Sequence, residues 1–300
     1  MSRSIIIGTR GSKLALWQAE FTKAKLEALG HIVELKIIKT KGDKIQHLGF
    51  DKLEGKGFFT KELEDALLRG AIDMAVHSMK DLPTTQPEGL VIAGVSYREN
   101  PADMLVIRKD RVTPDLLLKL PKNAKVGTSS ARRKAQLLDF RSDLELADIR
   151  GNVPTRLRKL EEGQFDAIML AAAGLQRLEI DLSAFEAIEL NPREFVPAPA
   201  QGVLAFQCLG SDVDMRRILK ELHHSEVSKC TNVERKVLKL LEGGCQMPLG
   251  VFCEFDPVKK YSAFVAKAEN WDGKVHFARF SSSTYVEFAE QIFKALQTVA

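Results

Sequence analysis

The chain has 300 residues, 45% hydrophobic and 28% charged, with 44 basic and 40 acidic side chains leaving a formal net charge of +4. These proportions fit a soluble globular protein with room for two or three domains and exclude a disordered or fibrous chain. The charge is too mild and too evenly interspersed to argue for nucleic acid, and no window approaches the ~18–20 apolar residues of a membrane span.

Taken in order, segment 4–9 is a β-branched run of the kind a buried parallel strand shows. Ser12 can cap the next segment, where Leu14, Trp17, Phe21, Ala24 and Ala28 recur at helical spacing until Gly30 stops it. Val33, Leu35 and Ile37 then alternate as a strand, so Arg10 and Ser12 fall in the first strand-to-helix turn. Residues 41–57 carry four glycines and no period, a length of connection that is either a spacer or a binding loop. Thr60 is expected to cap a helix ending at Gly70. The stretch 71–83 opens as a buried strand (Ile72, Met74, Val76) and then gathers His77, Ser78, Lys80 and Asp81 before Pro83 closes it. Polar groups at the carboxyl end of a strand are where open α/β sheets place ligand sites.

Residues 89–96 and 104–107 read as further strands, and Thr113-Pro114 as a helix start. A strand into a capped helix then recurs twice, at 125–138 and at 144–160, and 166–170 is one more strand. The proline-rich link 196–202 leads to an apolar run at 203–208. Thr231 and Glu234 fit a capping box for a helix over 233–241. Segments 261–268 and 275–280 alternate as strands around Asp272-Gly273, a hairpin signal, and 286–296 is an amphipathic closing helix. The pattern predicts two α/β domains followed by a small α+β domain.

Arginine at helix starts is the strongest chemical pattern. Arg132 and Arg133 follow Thr128, Ser129 and Ser130; Arg150 and Arg156 flank a Gly-Asn turn; Arg10 neighbours Ser12. A cation there opposes the helix dipole by typically ~0.3–1 kcal/mol unless an anion is present, and the planar guanidinium suits carboxylate or phosphate. Aromatic residues for base stacking are sparse around these arginines, which favours carboxylates over phosphodiesters. Asp81 reads either as an ion pair with Lys80 or as a group that orients a base, stabilises a cation or binds a positive substrate. His77 is in phase with the buried strand and reads as a hydrogen-bonded packing residue ahead of the alternative, a catalytic base. Cys245, in a loop after two glycines, is either a small buried hydrophobe or a nucleophile or covalent anchor. No Walker, dinucleotide or zinc motif is present, and the spacing of His223, His224, Cys230 and Cys245 fits no standard metal site.

Seven stretches, in order, resemble the porphobilinogen deaminase (hydroxymethylbilane synthase) family: Thr9-Arg-Gly-Ser-Lys-Leu-Ala-Leu-Trp-Gln18, Gly57-Phe-Phe-Thr-Lys-Glu-Leu-Glu64, Val76-His-Ser-Met-Lys-Asp-Leu-Pro83, Gly127-Thr-Ser-Ser-Ala-Arg-Arg133, Arg150-Gly-Asn-Val-Pro-Thr-Arg-Leu157, Ala173-Gly-Leu-Gln-Arg-Leu178 and Leu241-Glu-Gly-Gly-Cys-Gln-Met-Pro-Leu-Gly250. The resemblance implies a transferase that deaminates porphobilinogen and joins four units head to tail into hydroxymethylbilane, in tetrapyrrole (haem) biosynthesis. It implies a dipyrromethane cofactor held by a thioether to Cys245, and Asp81 as the catalytic carboxylate facing pyrrole N–H groups and an azafulvene cation. By motif position, Arg10, Ser12, Ser78, Lys80, Thr128, Ser129, Ser130, Arg132, Arg133, Arg150, Arg156 and Arg177 would hold the acetate and propionate side chains. Phe59, Gln201 and Gly202 would line the cleft, with 41–57 as the family's mobile loop. The implied fold is two domains like type II periplasmic binding proteins, 1–97 with 197–216 and 98–196, and a small α+β domain, 217–300. The chain departs from the family at Phe58, Ala131 and Ala200, the last where glycine is usual.

The residues alone also leave open a non-catalytic ligand-binding protein of the same architecture and an arginine-lined nucleic-acid module. All four cysteines (Cys208, Cys230, Cys245, Cys253) lie beyond residue 200 without a CxxC pair, and the N-terminal residues show no signal-peptide core. Reduced thiols in a cytoplasmic protein are therefore expected, and the resemblance implies a monomer acting on a small molecule without nucleic-acid or membrane partners.

Overall fold

The computed structural model describes residues 2–40, 60–242, 247–256, 258 and 260–297. Contacts divide the chain into two compact units, 1–99 with 202–229 and 100–201 with 230–300. The loop 41–57, Phe59 and Cys245 lie outside the described residues.

In the first unit, β1 (Ser4–Thr9), α1 (Lys13–Ala28), β2 (Ile32–Ile37), α2 (Lys61–Leu68), β3 (Met74–Ser78) and β4 (Leu90–Val95) are joined by β10 (Leu204–Leu209) and α6 (Val213–Glu221). The sheet runs β2-β1-β3-β10-β4. β1 is parallel to β2 and β3, whereas β10 is antiparallel to both β3 and β4. Ile5, Ile7, Met74, Val76, Leu204 and Phe206 pack against Ala19 and Leu26 of α1 and Met215 and Leu219 of α6. Burying these apolar faces is the main favourable term in forming the unit.

The second unit holds β5 (Asp103–Arg108), β6 (Lys125–Gly127), α3 (Ala131–Phe140), β7 (Glu145–Ala147), α4 (Val153–Glu161), β8 (Ala167–Ala171), α5 (Ala172–Arg177) and β9 (Phe185–Leu190). Its order, β7-β6-β8-β5-β9, repeats the winding of the first sheet, with β5 as the antiparallel insert. Along β8, Ala167 and Met169 enter one core while Ile168 and Leu170 enter the other. Burial on both faces is why this strand reads as a continuous apolar run. The expected fold class is observed: two α/β sheets of like topology and a small α+β part. That last part is β11 (Leu249–Phe255), β12 (Tyr261–Lys267) and β13 (His276–Ser282), an antiparallel sheet covered by α7 (Ser225–Leu240) and α8 (Phe288–Gln297).

Three local expectations fail for identifiable reasons. Segment 113–119 is a set of turns, because Leu118 and Lys119 adopt left-handed backbone, φ 62 and 53, that a helix cannot continue through. Thr60 makes no side-chain cap bond; its φ of −116 and ψ of −26 are helical, whereas a capping side chain needs extended backbone. Thr231 and Glu234 are not a capping box but interior, buried residues of α7. The helix begins a full two turns earlier, where the Val227 N–H donates to His224 Nδ1 at 3.3 Å. Strands β9 and β11 and helix α6 had no counterpart in the sequence reading.

Candidate active site

Adjacent parallel strands β1 and β3 end side by side. Arg10 and Ser12 therefore share a sheet edge with Ser78, Lys80 and Asp81. Ser12 caps α1, its Oγ accepting from the Ala15 N–H at 3.3 Å. Ser78 ends β3, and a 3-10 turn, Met79–Asp81, follows at once. The Met79 N–H donates to the Val203 carbonyl at 2.9 Å, pinning the turn to the strand entering from the far side. Met79 and Leu82 are buried while Asp81 between them is exposed, so apolar anchors hold the turn and the carboxylate faces solvent.

Gln18, buried on α1, donates its Nε2–H to Ser78 Oγ at 2.8 Å. Because Ser78 accepts there, its own hydroxyl hydrogen is directed to another acceptor. His77 lies behind the turn, its Nε2 3.0 Å from Gln207 Oε1, and Gln207 passes the chain on by donating to Gln86 Oε1 at 2.8 Å. Burial pushes the His77 pKa down to about 4; the Gln207 bond opposes this and the Arg10 charge adds to it. His77 is thus a neutral, inward-facing imidazole, as its phase in the strand predicts.

In the second unit, Thr128, Ser129 and Ser130 form the turn between β6 and α3. Ser130 Oγ accepts from the Arg133 N–H at 3.4 Å as the helix cap. Ser129 Oγ both donates to the Ile149 carbonyl at 3.0 Å and accepts from the Ile149 N–H at 3.1 Å, tying this turn to the one bearing Arg150. Asn152 caps α4, and Arg156 Nε donates to the Gly151 carbonyl at 2.8 Å. Arg177 is buried at the end of α5. The first turns of α1, α3 and α4 contain no acidic side chain.

Arg132 and Arg133 meet a protein anion. Asp103, fully buried at the start of β5, accepts from Arg132 Nη1 at 2.7 Å and from Arg133 Nε and Nη2 at 3.1 and 2.6 Å. Gln201 Nε2 reaches the same carboxylate at 3.0 Å and the Pro101 carbonyl at 2.8 Å. Burial disfavours every charge here, raising the acid and lowering Arg132 despite its partner. Two cations around one anion outweigh it and hold the Asp103 carboxyl well below the usual carboxylate range. The dipole conflict read from sequence at α3 is therefore relieved in part by Asp103.

The family model "Porphobilinogen deaminase, dipyromethane cofactor binding domain" matches residues 5–217. The chain belongs to the porphobilinogen deaminase family. A porphobilinogen deaminase of Chloroherpeton thalassium is 44% identical over 299 residues, covering 97% of this chain and 92% of the relative. One of Nitratiruptor sp. is 48% identical over 247 residues, covering 82% and 77%. Among solved structures, a Salmonella typhimurium periplasmic binding protein of high arginine specificity gives TM-score 0.43 at 11% identity, over 73% of this chain and 91% of that one. A probable amino-acid ABC transporter extracellular-binding protein of Bacillus subtilis gives 0.44 at 15%, over 74% and 92%. At those scores the fold assignment rests on strand order alone.

Porphobilinogen deaminases polymerise porphobilinogen into hydroxymethylbilane in tetrapyrrole biosynthesis, and this chain carries the family's dipyrromethane-binding domain. Gln18, Gln207 and Asp103 support the site without having been singled out in the sequence. A polar residue between Leu14 and Phe21 on an apolar helix face was an available signal for Gln18. Asp103, ahead of the run Met104–Ile107, looks like an ordinary strand-start residue.

Proposed function

We propose that this chain performs the family reaction with Asp81 as catalytic carboxylate and Cys245 as thioether anchor of the dipyrromethane. The observation that carries the assignment of Asp81 is the β3 turn: an exposed carboxylate between buried neighbours, on a turn whose preceding histidine is neutral and turned inward to Gln207. Porphobilinogen presents an aminomethyl group that leaves as ammonia, and a pyrrolic azafulvene cation develops as it departs. A fixed carboxylate beside that cation stabilises the transition state more than the ground state. Asp81 can also hold the proton exchanged with the departing amine.

The donor set fits carboxylates: Ser and Asn caps, arginines, and helix starts free of first-turn acids. In this reading Arg10, Ser12, Ser78, Lys80, Thr128, Ser129, Ser130, Arg132, Arg150, Arg156 and Arg177 bind acetates and propionates, and Arg133 adds its charge beside Arg132 while its nitrogens stay on protein acceptors. Gln201, Gly202 and Phe59 are the remaining proposed ligand contacts, Phe59 lying outside the described residues. The dipyrromethane supplies the nucleophilic pyrrole carbon on which the chain grows. Domains 1–97 with 197–216, 98–196 and 217–300, and a cytoplasmic monomer without nucleic-acid or membrane partners, complete the proposal.

Intact mass and turnover test it together. The purified protein is expected to exceed its chain mass by two porphobilinogen units less two ammonia, and Cys245→Ser to lose that excess. Asp81→Asn is expected to keep the excess while hydroxymethylbilane production falls by at least about a hundredfold, the scale of a general acid–base contribution. Near-normal turnover by Asp81→Asn would remove that residue from the mechanism.

A further inference from the structure

Asp103 is fully buried, and its two oxygens are shared among three side chains that reach it from α3 and from the link before β10. The arginines use it differently. Arg133 commits Nε and Nη2 to Asp103 and Nη1 to the Met169 carbonyl at 3.0 Å, so every nitrogen is engaged by protein. Arg132 makes both its bonds through Nη1, to Asp103 and to the Val196 carbonyl at 2.9 Å. Its Nε and Nη2 have no hydrogen-bond partner among the described residues. One edge of a planar guanidinium is clamped and the other is left with its donors. Two cations against one anion also leave the cluster with a net positive charge inside low-dielectric surroundings, where it acts more strongly on a ligand than it would in water.

We propose that Asp103 is a positioning residue: it clamps Arg132 through Nη1, with Arg133 and Gln201 as fixed struts, so that the Nε–Nη2 edge of Arg132 is presented to a carboxylate of the dipyrromethane. This rests on the functional reading above. It divides the arginine pair into one ligand-binding member, Arg132, and one structural member, Arg133. Asp103 itself touches neither substrate nor cofactor. Preorganisation of this kind lowers the cost of ordering the binding group when the ligand arrives.

The test follows cofactor acquisition by the full-length apo chain incubated with porphobilinogen, using intact mass against time and a melting curve of each apo variant. Wild type is expected to gain the two-unit increment; a wild type that gains none sinks the functional reading itself, independently of Asp103. Asp103→Asn and Arg132→Gln are each expected to slow acquisition about ten- to a hundredfold, the range found when a group that orients a binding residue is lost. The double variant is expected to be no slower than the slower single one, because Asp103 acts through Arg132. Multiplied effects in the double variant, or Asp103→Asn that melts early but loads at the wild-type rate, would overturn the proposal. Breaking a buried ion pair can prevent folding. In that case Arg132→Gln alone decides, since it leaves the Asp103–Arg133 pair intact: normal melting with slowed loading supports the proposal, and wild-type loading overturns it.

Discussion

His77 shows how one side chain of the β3 end can be read from burial. The unfolded chain protonates it near its ordinary value of 6.5, while the folded protein holds it neutral down to about 4. Between those values the unfolded state binds more protons, so stability falls as pH drops through that window. At ~1.4 kcal/mol per unit the contribution is of order 3 kcal/mol. Urea unfolding of His77→Gln is expected to show a shallower loss between neutral pH and about pH 4 than wild type; identical slopes would contradict this account of His77. Ala200 makes a second residue-scale case. It sits at φ 63, left-handed backbone that disfavours any side chain, where the resembling family usually carries glycine. Ala200→Gly is expected to raise stability by up to ~1 kcal/mol, read from the denaturation midpoint. The motif departure at Ala200 was visible in the sequence; the strain it implies required the backbone angle.

At the scale of elements, recurring apolar residues located α1, α2, α4 and α8, and a strand running into a cap located α3. Ser12, Ser130 and Asn152 all cap as their residue types suggest. Local pattern failed where a tertiary partner decides. Helix α7 is capped by His224, a residue no capping rule favours, and Glu234, read as the capping-box partner of Thr231, has another use. Its two oxygens accept the Ala200 N–H at 2.6 Å and the Cys253 N–H at 2.7 Å, joining the proline-rich link to β11. Glu234→Leu would leave both N–H groups buried without that acceptor. A loss of about 1–3 kcal/mol for each is expected in denaturant unfolding, and a loss below ~1 kcal/mol would show that the link finds other partners. Strand β9 was missed because Phe-Glu-Ala-Ile-Glu-Leu breaks strict alternation. The backbone of β11 is approached closely instead of being patterned: a Cβ on Gly250 would lie 2.4 Å from the Val196 carbonyl.

For the whole molecule, sequence order shows the alternation of strands and helices but not the insertion of β10 between β3 and β4 or of β5 between β8 and β9. Both are pairings between strands far apart in the chain, so no local pattern records them. The same holds for the site. Arginines at helix starts pointed to an anionic ligand, and the motif stretches supplied the family. The clamp that Asp103 places on two of those arginines is visible only in three dimensions. A covalent dipyrromethane on Cys245, extended by chemistry at Asp81, can be read from intact mass. The purified chain is expected to carry two porphobilinogen units less two ammonia, Cys245→Ser to appear at bare chain mass, and Asp81→Asn to retain the adduct. A wild-type protein at bare mass after preparation under cofactor-preserving conditions, or an adduct that survives in Cys245→Ser, would contradict it.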